Sequence, residues 1–324
     1  MVHKQHSPEA MPEIIPPPAL DYALRIKHRY SAGWEQWYLL TGDEHWDAPE
    51  CYIGLLHKHL REAKQRGALW ISNGDFFEAI SARDDPRGSK GTLRQEHVGV
   101  NYLDRLVDDG VSEFAPYADM LAYLGTGNHD QAVTIKRETD IGARFAAELG
   151  SKRTAGLPPI HRAGYTGWIR FEFEHKSGGH RCSHDCKLEH GTGGNSPVSK
   201  GTIQANRRSA RIDGATFFVS SHIHEQWALT GVMERLNAVT GRVEEHKVKH
   251  VQLGSYKRDF RTDGTGTWWM MRSGGTKPIG GSWLRFYSPD GSRVAWEVTD
   301  TDVDYPNLGA TLRKSKVVRE KEAA

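Results

Sequence analysis

Short apolar runs alternate with helix-like patterns through the first half of the chain. Three runs read as strands: Asp21–Tyr30, Glu35–Leu40 and Ala68–Ser72. Between the last two, apolar residues recur at helical spacing from Ile53 to Ala63, which predicts a helix that Asp47 caps and Gly67 ends. A strand, a helix and a strand in succession imply parallel pairing with a right-handed crossover.

The same alternation continues to Gly150, and strands dominate afterwards. Helices are predicted between His97 and Asp109, from Ile141 to Gly150 and around Ile203–Arg211. Further strands are predicted at Asp119–Thr126, Trp168–Glu174, Ala215–Ser221, Ala228–Met233, Val243–Leu253, Thr267–Met271, Ser282–Tyr287 and Val294–Val298. This pattern predicts one α/β domain over residues 21–300. The proline-rich residues 1–20 are expected to form a flexible arm, and residues 301–324 a charged, exposed tail.

Composition narrows the class of protein. The formal charge of +2 over 324 residues does not require a polyanionic partner, although a local basic surface is compatible with it. Three cysteines are too few for a disulfide framework and favour a reducing compartment. No apolar run approaches the roughly 20 residues of a membrane span, and the first residues lack a signal pattern. We therefore expect a cytoplasmic protein without a membrane partner.

Polar residues of metal-ligand type follow several of the predicted strands. They stand in GDEH, NGDFFE and GNHD, and later in LEHG and SSHIH. Residues two apart on an extended segment point the same way, so both members of Asp43 and His45, or of His222 and His224, can face one site. Mixed carboxylate, amide and imidazole donors suit a pair of divalent metals, which can activate a hydroxide and neutralise phosphoryl oxygens together.

These five blocks, in this order, resemble the calcineurin-like metallophosphoesterase superfamily over about residues 22–290. More narrowly, GDEHWDAPEC, GDFFE, GNHD followed by KRETD, and HGTGG are similar to metallophosphoesterases of phage and prophage genomes. One position departs from the superfamily pattern, because Ser221 stands where the last block usually begins with glycine. The resemblance implies a four-layer αββα sandwich of two mixed sheets flanked by helices.

The resemblance also implies a role for each matching residue. Asp43, His45 and His224 would hold the first metal, and Asn128, His190 and His222 the second, with Asp75 bridging both. His129 would contact the substrate phosphate and protonate the leaving oxygen, and Asp130 would orient His129 through its ring N–H. Manganese is the favoured metal, with zinc, iron and nickel as alternatives.

The implied activity is hydrolysis of a phosphoester by attack of a metal-bridging hydroxide. A phosphodiester is preferred as substrate, DNA in particular, over the substrates of a phosphomonoesterase or protein phosphatase. A non-catalytic metal-binding interaction module is the alternative from another class. Neither the physiological substrate nor the oligomeric state follows from the sequence.

Basic and aromatic side chains near the blocks are candidates for substrate contact. The basic candidates are Arg87, Lys136, Arg137, Arg207 and Arg211. They would bind phosphates of a nucleic acid if they line the cleft, and otherwise form solvated surface. Trp46, Phe76, Phe77, Trp268 and Trp269 could stack on bases, although core positions are the commoner role of such residues.

A second cluster, GGHRCSHDC, alternates His180, Cys182, His184 and Cys186. Four such residues could hold a structural zinc. However, ligands two apart along one strand cannot surround a tetrahedral ion without a sharp turn. We therefore expect the two cysteines to share one face of a β-hairpin, and Cys51 to pack near the start of its helix.

Overall fold

The computed structural model describes residues 11–19, 22–80, 93–193, 196–258 and 275–303. Within these ranges the α-helices are α1 (Ile53–Gln65), α2 (Tyr102–Phe114), α3 (Asn128–Arg137), α4 (Ile141–Gly150) and α5 (Thr202–Ser209). The described part of the chain is α/β, with two mixed sheets and few helices, as the sequence predicts. None of the helices in these ranges has the length and apolar composition that crossing a membrane requires.

One sheet has seven strands. They are, in chain order, β1 (Glu13–Ile15), β2 (Leu24–Tyr30), β7 (Thr166–His175), β8 (Arg181–Glu189), β9 (Phe217–Ser220), β10 (Trp227–Leu236) and β11 (Val243–Gln252). Their order across the sheet is β1-β2-β7-β8-β9-β11-β10. The pairs β2–β7, β8–β9 and β9–β11 are parallel, and the remaining neighbours are antiparallel.

The other sheet has six strands. They are β3 (Trp34–Thr41), β4 (Leu69–Ser72), β5 (Leu121–Leu124), β6 (His161–Arg162), β12 (Ser282–Ser288) and β13 (Ala295–Asp300). Their order is β13-β12-β3-β4-β5-β6, in which β3 to β6 run parallel and β12 is antiparallel to both of its neighbours. The predicted strand-helix-strand unit is confirmed as β3–α1–β4.

Two hydrophobic clusters fix the layers. One joins β2, β7, β8 and β9 to β3, β4 and β12 through side chains such as Phe171, Phe217 and Phe286, and therefore lies between the sheets. The other joins the outer face of the six-stranded sheet to α1, α2 and α4 through side chains such as Trp70, Phe114 and Phe145. Strands β4 and β5 and the second half of β3 are buried on both faces because both faces are covered, whereas Glu35 and Gln36 in the first half of β3 are half-buried.

Several predicted elements differ from the structure. Asp47 does not cap α1, because its carboxylate instead accepts the N–H groups of Glu78 and Ala79 at 2.6 and 3.0 Å. The second helix begins at Tyr102 rather than near His97. Helix α3 was not predicted, since its sequence has few apolar residues to show a helical period.

The two ends of the chain are described in part. Glu13–Ile15 pairs antiparallel with β2 as strand β1, so the prediction of a flexible arm is wrong for these three residues. Residues 1–10, most of the charged tail, and the predicted strand Thr267–Met271 lie outside the described residues.

Candidate metal centre

The candidate ligands lie at the carboxyl ends of strands from both sheets. Asp43 and His45 follow β3, Asp75 follows β4, Asn128 follows β5, His190 follows β8, and His222 and His224 follow β9. Strands β3, β4 and β5 are parallel neighbours in one sheet, as β8 and β9 are in the other. Their carboxyl ends therefore deliver the seven side chains to one region, as is general for sites in α/β folds.

The first group of donors consists of Asp43, His45 and His224. Oδ1 of Asp43 lies 3.7 Å from Nε2 of His224 and 4.0 Å from Nε2 of His45. Two atoms that share one ion at about 2.0–2.2 Å each can lie at most about 4.4 Å apart. Oδ1 of Asp43 and both ring nitrogens of His45 are buried without a hydrogen-bond partner among the described residues. A cation bound between Oδ1 and Nε2 would satisfy these two atoms, and Nδ1 lies in ion-pair contact with a carboxylate.

The second group consists of Asp75, Asn128, His190 and His222. Oδ2 of Asp75 lies 3.2 Å from Nε2 of His190, and Oδ1 of Asn128 lies 3.2 Å from that nitrogen and 2.7 Å from Nδ1 of His222. Nε2 of His190 is also 3.9 Å from Oδ1 of Asp43, so the two groups are adjacent. The residues thus form buried His and carboxylate clusters that could bind metal ions.

The electrostatics of the clusters favour a bound cation. Burial alone would lower the pKa of His190, but the carboxylates of Asp75 and Asp43 outweigh burial and raise this pKa to about 10. Burial raises the pKa of Asp43 well above its ordinary value, and the neighbouring charge of Asp75 adds to the rise. The carboxylates therefore attract a proton or a metal ion into the site, and metal binding would displace protons.

The backbone at the candidate ligands is strained. Asp43, His45, Asp75, His222 and His224 all have positive φ, between 44° and 75°. Non-glycine residues rarely adopt this region, and such strain concentrates at functional sites, where surrounding contacts must maintain it. In the described part of the chain four further non-glycine residues share this conformation, so the candidate ligands make up most of the set.

One glycine of the GNHD block is needed for close approach of two loops. A Cβ atom on Gly127 would lie 1.9 Å from Oδ1 of Asp75. With hydrogen in that place, the same Oδ1 atom accepts the backbone N–H of His129 at 2.8 Å. Gly127 therefore allows the β4 and β5 loops to share the Asp75 carboxylate.

Glu78 is a site residue that the sequence analysis missed. Its Oε2 lies 2.6 Å from Nδ1 of His45, and its Oε1 accepts a hydrogen bond from Nζ of Lys257 at 2.7 Å. Burial opposes ionisation of Glu78, but the charges of His45 and Lys257 hold its pKa well below the ordinary value. The carboxylate therefore remains charged and turns Nε2 of His45 toward Asp43.

One feature of the sequence could have indicated that Glu78 belongs to the site, since it lies three residues after Asp75 in the same loop. No feature of the sequence indicates that Lys257 contacts Glu78, because the two residues are 179 positions apart.

His129 lies in the first turn of α3, beside the first group of donors. Its Nδ1 lies 2.8 Å from the carbonyl oxygen of Glu78, so the ring N–H donates to Glu78 and not to Asp130. The predicted orienting role of Asp130 is therefore wrong. Asp130 instead accepts the backbone N–H of Gly127 at 3.0 Å and caps α3. Nε2 is left as the ring nitrogen of His129 that can act on a substrate.

Ser221 connects the last block to the β4 loop. Its hydroxyl donates to the carbonyl oxygen of Asn73 at 2.9 Å and accepts from Nδ2 of Asn73 at 2.8 Å. The same carbonyl oxygen accepts Nδ1–H of His190 at 3.0 Å, which turns Nε2 of that ring toward Asp75. The serine thus supports the site through a side chain that glycine lacks.

The predicted substrate contacts occupy different places. Lys136 and Arg137 line a cavity together with His129. Arg207 and Arg211 are exposed on or just after α5, where Nε of Arg211 donates to the carbonyl oxygen of Arg207, and neither lines that cavity. Arg87 lies outside the described residues.

The aromatic candidates are mainly core. Trp46, Phe76 and Phe77 are buried in the cluster beneath α2 and α4, so base stacking by these three residues is excluded in this conformation. Trp268 and Trp269 lie outside the described residues.

The second His and Cys cluster does not form a metal site in the described part of the chain. Cys182 and Cys186 point from β8 into the core between the sheets, as predicted for one face of a hairpin, and the ring of His184 stacks on Phe286. His180 instead pairs with the hydroxyl of Tyr30 at 2.5 Å. Cys51 is buried just before α1, as predicted.

No protein-family model matches the chain, and a search of curated proteins likewise finds no match.

Proposed function

We propose that the protein is a dinuclear metal-dependent phosphoesterase with the four-layer αββα fold of the calcineurin-like metallophosphoesterases, most similar to those of phage genomes. The observation that carries the proposal is the convergence of seven donor side chains from five strand ends into adjacent groups of buried and half-buried donors. An acid-base candidate, His129, stands beside them. Glu78 and His129 form a further group with His45. A phosphodiester is the preferred substrate, with DNA as the preferred source.

The ligand assignment follows the two groups. Asp43, His45 and His224 would hold one ion, and Asn128, His190 and His222 the other, with Asp75 shared. Oxygen and imidazole donors in this proportion suit manganese, with zinc, iron and nickel as alternatives. When bound, such a pair supplies an activated hydroxide and neutralises charge on the phosphoryl oxygens.

The residues of the chain supply the remaining steps. His129 holds a proton on Nε2 and donates it to the leaving oxygen, as a general acid. Its Nδ1–H bond to the Glu78 carbonyl fixes the ring so that Nε2 remains directed at the substrate. Glu78 and Asn73 hold the rings of His45 and His190 in orientation through their other nitrogens.

A substrate screen tests this function. The manganese-loaded protein should hydrolyse bis(4-nitrophenyl) phosphate and cleave single- or double-stranded DNA. If DNA stays intact while a phosphoprotein or a nucleotide monoester is turned over, the protein is a phosphomonoesterase or protein phosphatase. If two metals bind and no phosphoester is hydrolysed, it is a non-catalytic metal-binding module.

A further inference from the structure

A cavity of about 770 Å³ opens beside the metal centre. Its walls are one face of α3, the segment 78–80 and the segment 99–104 that leads into α2. Asn128 and His129 belong both to this cavity and to the metal centre. A phosphoryl group has the size of a few water molecules of about 30 Å³ each, so it would leave most of this space empty. The volume instead suits an organic ligand, since such sites measure about 300–1,000 Å³.

Helix α3 lines the cavity from the metal centre to its outer end. His129, Ala132, Val133 and Lys136 recur at helical spacing and line the cavity from one helix face, and Arg137 follows. Lys136 is seven residues after His129, which corresponds to about 10 Å along the helix axis. Side chains on a helix point back toward its N-terminus, so the ammonium group of Lys136 can lie closer to His129 than the backbone spacing, within reach of the phosphate next to a leaving nucleoside.

The walls combine apolar surface with charged side chains of both signs. Of the two carboxylates, Asp104 pairs with Arg144 at 2.8 Å and Glu78 with Lys257 at 2.7 Å, and Lys136 and Arg137 add positive charge. Val100, Leu103 and Ala132 present apolar side chains to the cavity near His129. Lys136 and Arg137 are exposed at the C-terminal turn of α3. A nucleoside has an apolar base face and, within an oligonucleotide, carries a further phosphate, so it matches both parts of this wall.

The position of His129 determines which part of the substrate enters the cavity. A general acid must lie within hydrogen-bond reach of the oxygen that it protonates. The proposed role of His129 therefore requires the leaving group to be on its side of the phosphorus, where the cavity lies.

We propose that this cavity is the leaving-group subsite for an oligonucleotide, an inference that rests on the proposed function. The leaving nucleoside occupies the apolar part of the cavity, and Lys136 and Arg137 bind the next phosphate of the leaving strand. Hydrolysis adds water across the scissile P–O bond, so one product keeps the phosphate and the departing nucleoside oxygen gains a proton. The substrate class is accordingly a polynucleotide, rather than a phosphomonoester or an isolated diester.

The test compares two dinucleotides, with and without an additional phosphate on the leaving nucleoside, and uses bis(4-nitrophenyl) phosphate as a reference. The full-length manganese-loaded protein is compared with Lys136→Ala/Arg137→Ala. The matched control is Arg61→Ala/Lys152→Ala, which removes one arginine and one lysine from exposed positions outside the cavity.

Wild type should prefer the dinucleotide with the extra phosphate by about tenfold in kcat/KM. The Lys136→Ala/Arg137→Ala variant should lose this preference, and its log–log salt slope for oligonucleotide cleavage should fall by about two. Its preference is normalised to its own turnover of bis(4-nitrophenyl) phosphate, and the control should behave like wild type.

Two results would overturn the inference in distinguishable ways. If wild type and both variants hydrolyse bis(4-nitrophenyl) phosphate and show equal dinucleotide preference, the subsite is wrong while the proposed function stands. If wild type with two bound metals hydrolyses none of the three substrates, the proposed function fails and the subsite fails with it.

Discussion

The imidazole of His45 is held by the carboxylate of Glu78, whose Oε2 lies 2.6 Å from Nδ1 of the ring. Lys257 contacts the other oxygen of the same carboxylate at 2.7 Å. These contacts leave Nε2 of His45 facing Asp43 in a buried space. Glu78 thereby sets the orientation of a candidate ligand through the ring nitrogen on its far side.

Replacing Glu78 should therefore weaken metal binding more than it changes the fold. In Glu78→Gln the amide cannot balance the charge of Lys257 or fix the same ring tautomer, and we expect metal affinity to fall by about 10–100-fold. Titration of the metal-free protein with manganese, followed by calorimetry, measures this loss. The control Glu148→Gln changes an exposed residue of α4. Equal affinities in the two variants would refute the role of Glu78.

His129 should be required for the rate of hydrolysis and not for metal binding. Because Nδ1 donates to the Glu78 carbonyl and Nε2 is left for substrate, His129→Ala should retain two metals. The turnover number for bis(4-nitrophenyl) phosphate should fall by about 10²–10⁴-fold, the usual contribution of a general acid. Metal analysis and steady-state kinetics on the same preparation check both statements. Loss of metal from this variant would make His129 a ligand instead.

Acid should destabilise the protein through a histidine remote from the candidate ligands. Burial lowers the pKa of His28 from its ordinary 6.5 to about 3. The unfolded chain takes up a proton below pH 6.5 while the folded chain does not, so stability present above pH 6.5 is lost progressively as pH falls toward 3. At pH 5 the loss from this residue is about 2 kcal/mol.

The variant His28→Gln isolates this contribution, since glutamine does not titrate and can still contact the hydroxyl of Tyr38, which lies 2.7 Å from the ring. Urea unfolding at pH 7.5 and pH 5 should show a smaller difference in the free energy of unfolding for the variant than for wild type. Equal pH dependence of the two proteins would show that His28 is protonated in the folded state.

Much of the fold follows from local patterns in the sequence. Strands β4 and β5 and the second half of β3 are apolar on both faces, and each strand is followed by a polar block. The sequence therefore predicts both the burial of these strands and the position of the candidate ligands. Helix α3 was missed for a physical reason. The helix starts at Asn128, which is itself a candidate ligand, and the carboxylate of Asp130 caps its first turn. Its sequence has too few apolar residues to show a helical period.

Long-range polar contacts were not readable in the same way. The sequence position of Asp47 predicts a helix cap, but its carboxylate accepts hydrogen bonds from the backbone N–H groups of Glu78 and Ala79 instead. The partner of Glu78 comes from a loop 179 residues later. A single sequence contains no local pattern for such pairs, because they depend on how loops that are distant in sequence meet in the folded chain.

The most direct test of the central claim measures metal content and turnover on wild type and Asp75→Ala. Wild type should bind two manganese ions per chain and hydrolyse bis(4-nitrophenyl) phosphate. Asp75→Ala should keep the far-ultraviolet circular dichroism of wild type, lose at least one ion and show no turnover. Full activity in Asp75→Ala would contradict the account, because the proposed mechanism assigns this carboxylate to both ions.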